Sequence, residues 1–163
     1  MIRNGHILIL LLAAGCSSPD EAPSSTPVRG ESSLVRMELS RLDFGKLARK
    51  EVQVTEKGGK TSVYGGVLLS DVVSLMGIPM GVHPKGRPPI EYVVVEGADR
   101  YRALFSKAEL DPAFAESHVI LANRLDGQEL ASADGPWRLV VPADRIRSRW
   151  VKQARVIEVS SVR

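Results

Sequence analysis

The sequence predicts an α+β, β-rich fold: one compact domain in which short strands outnumber helices. Three observations lead there. Short runs rich in Val, Ile, Leu and Tyr recur between Gly, Pro and Asp turns. A single stretch, Leu68 to Met76, repeats its apolar residues at helical spacing. The 163 residues, 44% apolar and 25% charged, suffice for one hydrophobic core and not for two full-sized domains.

Taken in order, the chain opens with an address. Residues 1–6 carry Arg3, residues 7–12 are an unbroken Ile/Leu run, and Ala13, Ala14 and Gly15 precede Cys16. A basic head, a short apolar core and small residues at a cleavage point make a signal peptide over residues 1–16. The apolar run is far shorter than the roughly 20 residues a membrane-spanning helix needs. Small residues directly before a Cys resemble the lipobox of bacterial lipoproteins, which implies acylation of Cys16 and anchoring to membrane lipid. The alternative is an ordinary signal with a chance Cys. Ser17 after the Cys fits passage to the outer membrane, facing the periplasm. Residues 17–33, rich in Ser and Pro, read as a flexible tether, and residues 34–163 as the folded domain.

Within the domain, residues 34–39, 51–55 and 61–64 read as strands, with Gly58-Gly59 as the turn between the second and third. Gly65-Gly66 is expected to end the third strand. Leu68, Leu69, Val72, Val73 and Met76 form one apolar helix face, stopped by Gly77 and Pro79. Residues 81–89 are a Gly/Pro/basic loop. Strands follow at 92–96 and 101–105, then Ser106 and Glu109 at capping-box spacing for a single helical turn. Strands at 119–122, 137–141 and 156–162 complete the set, with Asp126-Gly127 as a hairpin turn.

Several chemistries fall away. One Cys, consumed by acylation, leaves no disulfide and no cysteine-based metal cage. Gly59-Lys60-Thr61 imitates the end of a phosphate loop, but Val54 stands where that loop needs Gly. There is no Gly-x-Ser-x-Gly turn for a hydrolase nucleophile. His83 and His118 lie in a loop and at a strand start without a carboxylate-rich partner motif, and are expected to be solvated or capping. Aromatic residues suited to base stacking are sparse, so nucleic acid is not an expected partner.

The distinctive charged segment runs from Arg138 to Arg155, where Arg138, Arg145, Arg147, Arg149, Lys152 and Arg155 face Asp144 alone. Converging guanidinium forks make an anion site; the same residues fanned outward make a solvated basic face. Trp137 and Trp150 in this region are expected to pack rather than bind.

Read as one string, Gly66-Val67-Leu68-Leu69-Ser70-Asp71-Val72-Val73 with Gly77-Ile78-Pro79, then Asp99-Arg100-Tyr101, Phe105-Ser106, Leu121-Ala122 and Asp126-Gly127, and finally Gly135-Pro136-Trp137-Arg138-Leu139-Val140-Val141-Pro142 and Trp150-Val151-Lys152, resemble the sulfite-oxidase-type molybdopterin-binding domain. The resemblance covers residues 34–163 and implies that family's compact domain. It also implies that Arg138, Arg149 and Lys152 help hold a pterin and its phosphate, so that molybdopterin is the expected cofactor. Arg147 matches no ligand-holding residue of the family. The thiolate that ligates molybdenum in the family falls where Thr55 or Glu56 stands here, and neither is a soft sulfur ligand. A family His that helps hold the cofactor has Asp134 near its place. No metal ligand is therefore assigned. The leading expectation is a lipid-anchored, exported, molybdopterin-binding-like oxidoreductase domain holding a pterin without protein thiolate ligation, with oxygen-atom or electron transfer if catalysis is retained. The alternative is a non-catalytic envelope module that keeps the fold, binds no molybdenum and meets an envelope protein partner.

Overall fold

The computed structural model describes residues 32–56, 58–81 and 90–162. The signal peptide, Cys16, nearly all of the tether, His83 and most of the loop at 81–89 lie outside the described residues.

Two antiparallel sheets build the domain. The first contains β1 (Ser32–Glu38), β9 (Ala154–Val162), β4 (Ile90–Gly97) and β5 (Arg102–Ser106), in that spatial order. The second contains β2 (Arg49–Thr55), β3 (Thr61–Leu68), β6 (Ile120–Leu125) and β7 (Gln128–Glu129), with β8 (Arg138–Val140) also pairing β6. Two short helices, α1 (Leu69–Leu75) and α2 (Lys107–Leu110), follow β3 and β5 directly. The fold is β-rich with few helices, as its turn-punctuated sequence implies.

Alternation sets which face of each strand is buried. In β2, Val52 and Val54 point into the core while Glu51 and Gln53 are exposed. In β4 and β9, Val93, Val95, Ile157 and Val159 are fully buried, and with Phe105, Leu121 and Leu139 they form the centre of a single apolar cluster. In α1, Leu69, Val72 and Val73 face inward, and Gly77, at φ +87°, takes the left-handed conformation that ends the helix. Asp126 and Gly127 both have positive φ, 49° and 81°, the geometry that joins two strands without splaying them. The capping box at Ser106 and Glu109 is formed in both directions.

One expectation is corrected. Gly65-Gly66 does not end the third strand, which continues to Leu68. The glycines mark a bulge, because the register against β6 shifts between Gly65 and Gly66. A Cβ on Gly66 would lie 2.0 Å from the Leu121 carbonyl oxygen. Glycine is required there by the close approach of two backbones, not by a chain reversal.

Candidate functional site

The end of β2, the turn before β8 and the segment between β8 and β9 meet at one place, and the charged residues gather there. The turn before β8 is closed by the amides of Asp134 and Gly135, which donate to the Ala131 carbonyl at 2.9 and 2.8 Å. Residues 151–154 then run back along the start of β8: the Leu139 amide donates to the Val151 carbonyl and the Ala154 amide to the Trp137 carbonyl, both at 2.8 Å. This return brings Lys152 beside Arg138.

Both cations meet one carboxylate. Arg138 Nη1 donates to Asp134 Oδ2 at 2.9 Å, and Lys152 Nζ lies 3.1 Å from Asp134 Oδ1. Arg138 is mostly buried, its side chain 12% exposed, whereas the Lys152 side chain is 59% exposed. Satisfaction is incomplete. Arg138 Nε is buried without an acceptor, and Asp134 Oδ1 receives no well-angled hydrogen bond despite the nearby ammonium.

Aromatic rings floor this cluster. The Arg138 guanidinium carbon sits 5.4 Å from the centroid of the Trp150 ring and 5.9 Å from that of Tyr64. Trp150 is buried and fixed by its indole N–H, which donates to the Val141 carbonyl at 3.0 Å. It meets Tyr64 edge-on, with centroids 5.5 Å apart. Arg147 lies over the same Trp150 ring at 4.4 Å and pairs with Glu56 at 2.6 Å. Burial pushes the Tyr64 phenol above its ordinary pKa, against the pull of the Arg138 and Arg147 charges.

Arg149 is placed elsewhere. Its Nε and Nη2 donate to both oxygens of Asp144 at 2.9 and 2.6 Å, its Nη1 donates to Glu109 Oε1 at 2.7 Å, and its guanidinium covers the Phe105 ring at 4.7 Å. The hydrogen bonds to Asp144 and then Glu109 raise its pKa further above an already high value. Glu109 therefore both caps α2 and holds Arg149. Of the three cations that the sequence singles out, the fold brings Arg138 and Lys152 together and holds Arg149 on a separate pair of carboxylates. Trp137 packs against Phe44 at 4.3 Å, and Trp150 packs in the core, in keeping with the expectation for both.

Among the described residues, a concavity lies on the Arg149 side. A cleft of about 510 Å³ opens between Val52, Glu109, Val141 and Arg149, and adjoins a second of about 480 Å³; exposed His118 lines both. Neither cleft reaches Arg138 or Lys152.

A molybdenum pterin is tested against these donors directly. Among the described residues no cluster of His, Cys, Asp and Glu is arranged to hold a metal ion. Thr55, expected from the resemblance to stand near the thiolate, is exposed, and Glu56 beside it is an oxygen donor already paired with Arg147. Each cation assigned to the pterin phosphate already faces a carboxylate of the chain itself. These residues offer molybdenum no soft ligand. The basic segment that the sequence singles out contains Arg138, Arg147, Arg149 and Lys152, but Tyr64 and Glu109 were not legible as parts of these clusters, because they come from β3 and α2, distant in sequence.

A family model described as the oxidoreductase molybdopterin binding domain matches residues 34–163. No curated protein matches the chain.

Proposed function

Because the chain belongs to the oxidoreductase molybdopterin binding domain family, we propose that it keeps this domain as a non-catalytic binding module, anchored in the cell envelope by lipid on Cys16, and that it holds no molybdenum. The observation that supports this is the Glu56–Arg147 ion pair at 2.6 Å, at the position that the resemblance suggests for the family's thiolate. A carboxylate is a hard oxygen donor, and one held by a guanidinium has its lone pairs engaged. Acyl chains on Cys16 would hold the domain at the outer membrane, facing the periplasm, where it would meet an envelope protein partner.

A second reading, a pterin held without protein thiolate ligation, is favoured by one observation. Arg138 retains a buried N–H without an acceptor, and neighbouring Lys152 is exposed, so an incoming phosphate would find donors there.

One experiment separates the two. The full chain is purified from its native envelope, and its molybdenum, pterin and acyl content are measured by metal analysis and mass spectrometry. The binding-module reading expects neither metal nor pterin, with acyl mass on Cys16. Stoichiometric pterin without molybdenum would favour the second reading. Stoichiometric molybdenum would overturn both, and an unmodified Cys16 would overturn the anchor.

A further inference from the structure

We propose that the open edge of β2 is a docking groove for an extended, basic segment of an envelope protein, which adds to the sheet as a further strand. This deepens the binding-module reading above and rests on it. β2 pairs with β3 on one side, and its other edge receives no backbone hydrogen bond from any described residue. Every second residue of an antiparallel strand turns its N–H and C=O to that side, so the edge offers a row of unmet donors and acceptors.

The two clefts described above run along this edge. Both are lined by Glu51 and Val52, and the first also by Gln53. Glu51 and Gln53 project on the exposed face of β2 and Val52 into the core. A space that touches all three therefore passes the backbone itself rather than one face of the strand. The opposite wall is the segment from Ala115 to His118, which joins no strand. The Glu116 and His118 amides donate to no described residue. A groove with free backbone groups on both walls suits a peptide backbone, as in strand addition.

Charge decides the occupant. Glu51 and Glu116 line both clefts and Asp71 the second, and none of the three pairs with a described cation. Against them the second cleft offers Lys50, while Arg149 and Glu109 are paired with each other. The groove is left acidic. Successive side chains of an extended segment alternate between faces. One with Lys or Arg at every second position sets its cations on the side of Glu51 and its intervening apolar residues on the side of Val52. A second copy of this chain would bring the same acidic surplus to the edge, so a basic partner is favoured over self-pairing.

The test uses the full chain in neutral detergent and a dye-labelled synthetic peptide alternating lysine and valine, matched in length to the seven residues of β2. Fluorescence anisotropy reads the affinity, and hydrogen–deuterium exchange reads where the peptide lies. The expected result is saturable binding at physiological salt with slowed exchange in β2. The double variant Glu51→Lys, Glu116→Lys is expected to bind at least about tenfold more weakly. Both side chains are exposed and unpaired, so the variant should keep the melting temperature of the unaltered chain. Should it melt early, a peptide alternating glutamate and valine reads the same preference on the unaltered chain, where it is expected not to bind. Affinity weaker than about 1 mM, equal binding of the two peptides, binding untouched by the charge reversals in a folded variant, or protection confined to β1 or β5 would overturn the proposal. So would protection of β2 in the chain alone that grows with its concentration, which would assign the edge to a second copy. Metal, pterin and acyl content of the native protein test the functional reading by a separate measurement, so the failure of one is not mistaken for failure of the other.

Discussion

Two charge clusters on this domain contain the same kinds of groups and differ in what surrounds them. On the outer face of the first sheet, Arg36 of β1 and Arg102 of β5 each contact both Glu96 of β4 and Glu158 of β9, at 2.8 to 3.5 Å. Around Trp150, Arg138 and Arg147 pair with Asp134 and Glu56. The first group follows strand register: Arg36 stands opposite Glu158, and Arg102 opposite Glu96. Its arginines are about half exposed, so water competes for every contact. The second group draws its partners from separate segments and sets its guanidinium groups against aromatic rings, with Arg138 mostly buried. Similar charged groups thus give a solvated lattice in one place and a ring-floored latch in the other.

The largest expected effect comes from breaking the latch. Asp134→Ala leaves Arg138 mostly buried with its carboxylate gone, and is expected to cost about 3 kcal/mol, toward the lower edge of what removing one partner of a buried pair costs. Urea unfolding measures it, and an Arg138→Met change added to Asp134→Ala should recover part of the loss. Arg147→Ala comes next, at about 1–2 kcal/mol, because it removes both a partly buried ion pair and the cation over Trp150. Tryptophan fluorescence should report the change around the ring alongside the stability loss.

Glu158→Gln in the lattice should have the smallest effect, below about 1 kcal/mol and reduced further by salt. Its pH dependence is specific. Burial raises the proton affinity of Glu158, but hydrogen bonds from Arg36 and Ser160 and the charges of Arg36 and Arg102 outweigh it, so its pKa in the fold lies below the ordinary 4.5. A carboxylate held down in the folded state contributes stability above its unfolded pKa and loses it as pH falls through the folded value. The unaltered protein should therefore be more stable than Glu158→Gln at neutral pH and converge with it as pH drops below about 4.5. Thermal melts across that range check this.

Much of the fold was legible because its determinants are local. Alternation places Val52 and Val54 inward, Asp126-Gly127 turns a hairpin, and Ser106 with Glu109 closes a capping box, all within a few residues of sequence. Gly65-Gly66 misled because a close approach of backbones across a sheet and a chain break both call for glycine, and only the position of Leu121 tells them apart. The site was half legible for the same reason. The basic run from Arg138 to Arg155 is contiguous and easily seen, whereas Glu56, Glu109 and Asp134, which neutralise it, lie outside that run. Arg149 and Lys152 are three residues apart, yet the buried Trp150 between them anchors a return of the chain that sends them to different carboxylates.

The central claim is that Asp134 closes the Arg138 seat as a protected ion pair, unlike the superficially similar lattice. Double-mutant cycles on Asp134–Arg138 and on Arg36–Glu158, each run by urea unfolding at low and at 1 M salt, test it most directly. The expected result is a coupling of about 2 kcal/mol or more at Asp134–Arg138 that persists in high salt, against less than about 1 kcal/mol at Arg36–Glu158 that high salt largely removes. Two small couplings, both erased by salt, would contradict it and return Arg138 and Lys152 to an ordinary solvated basic face.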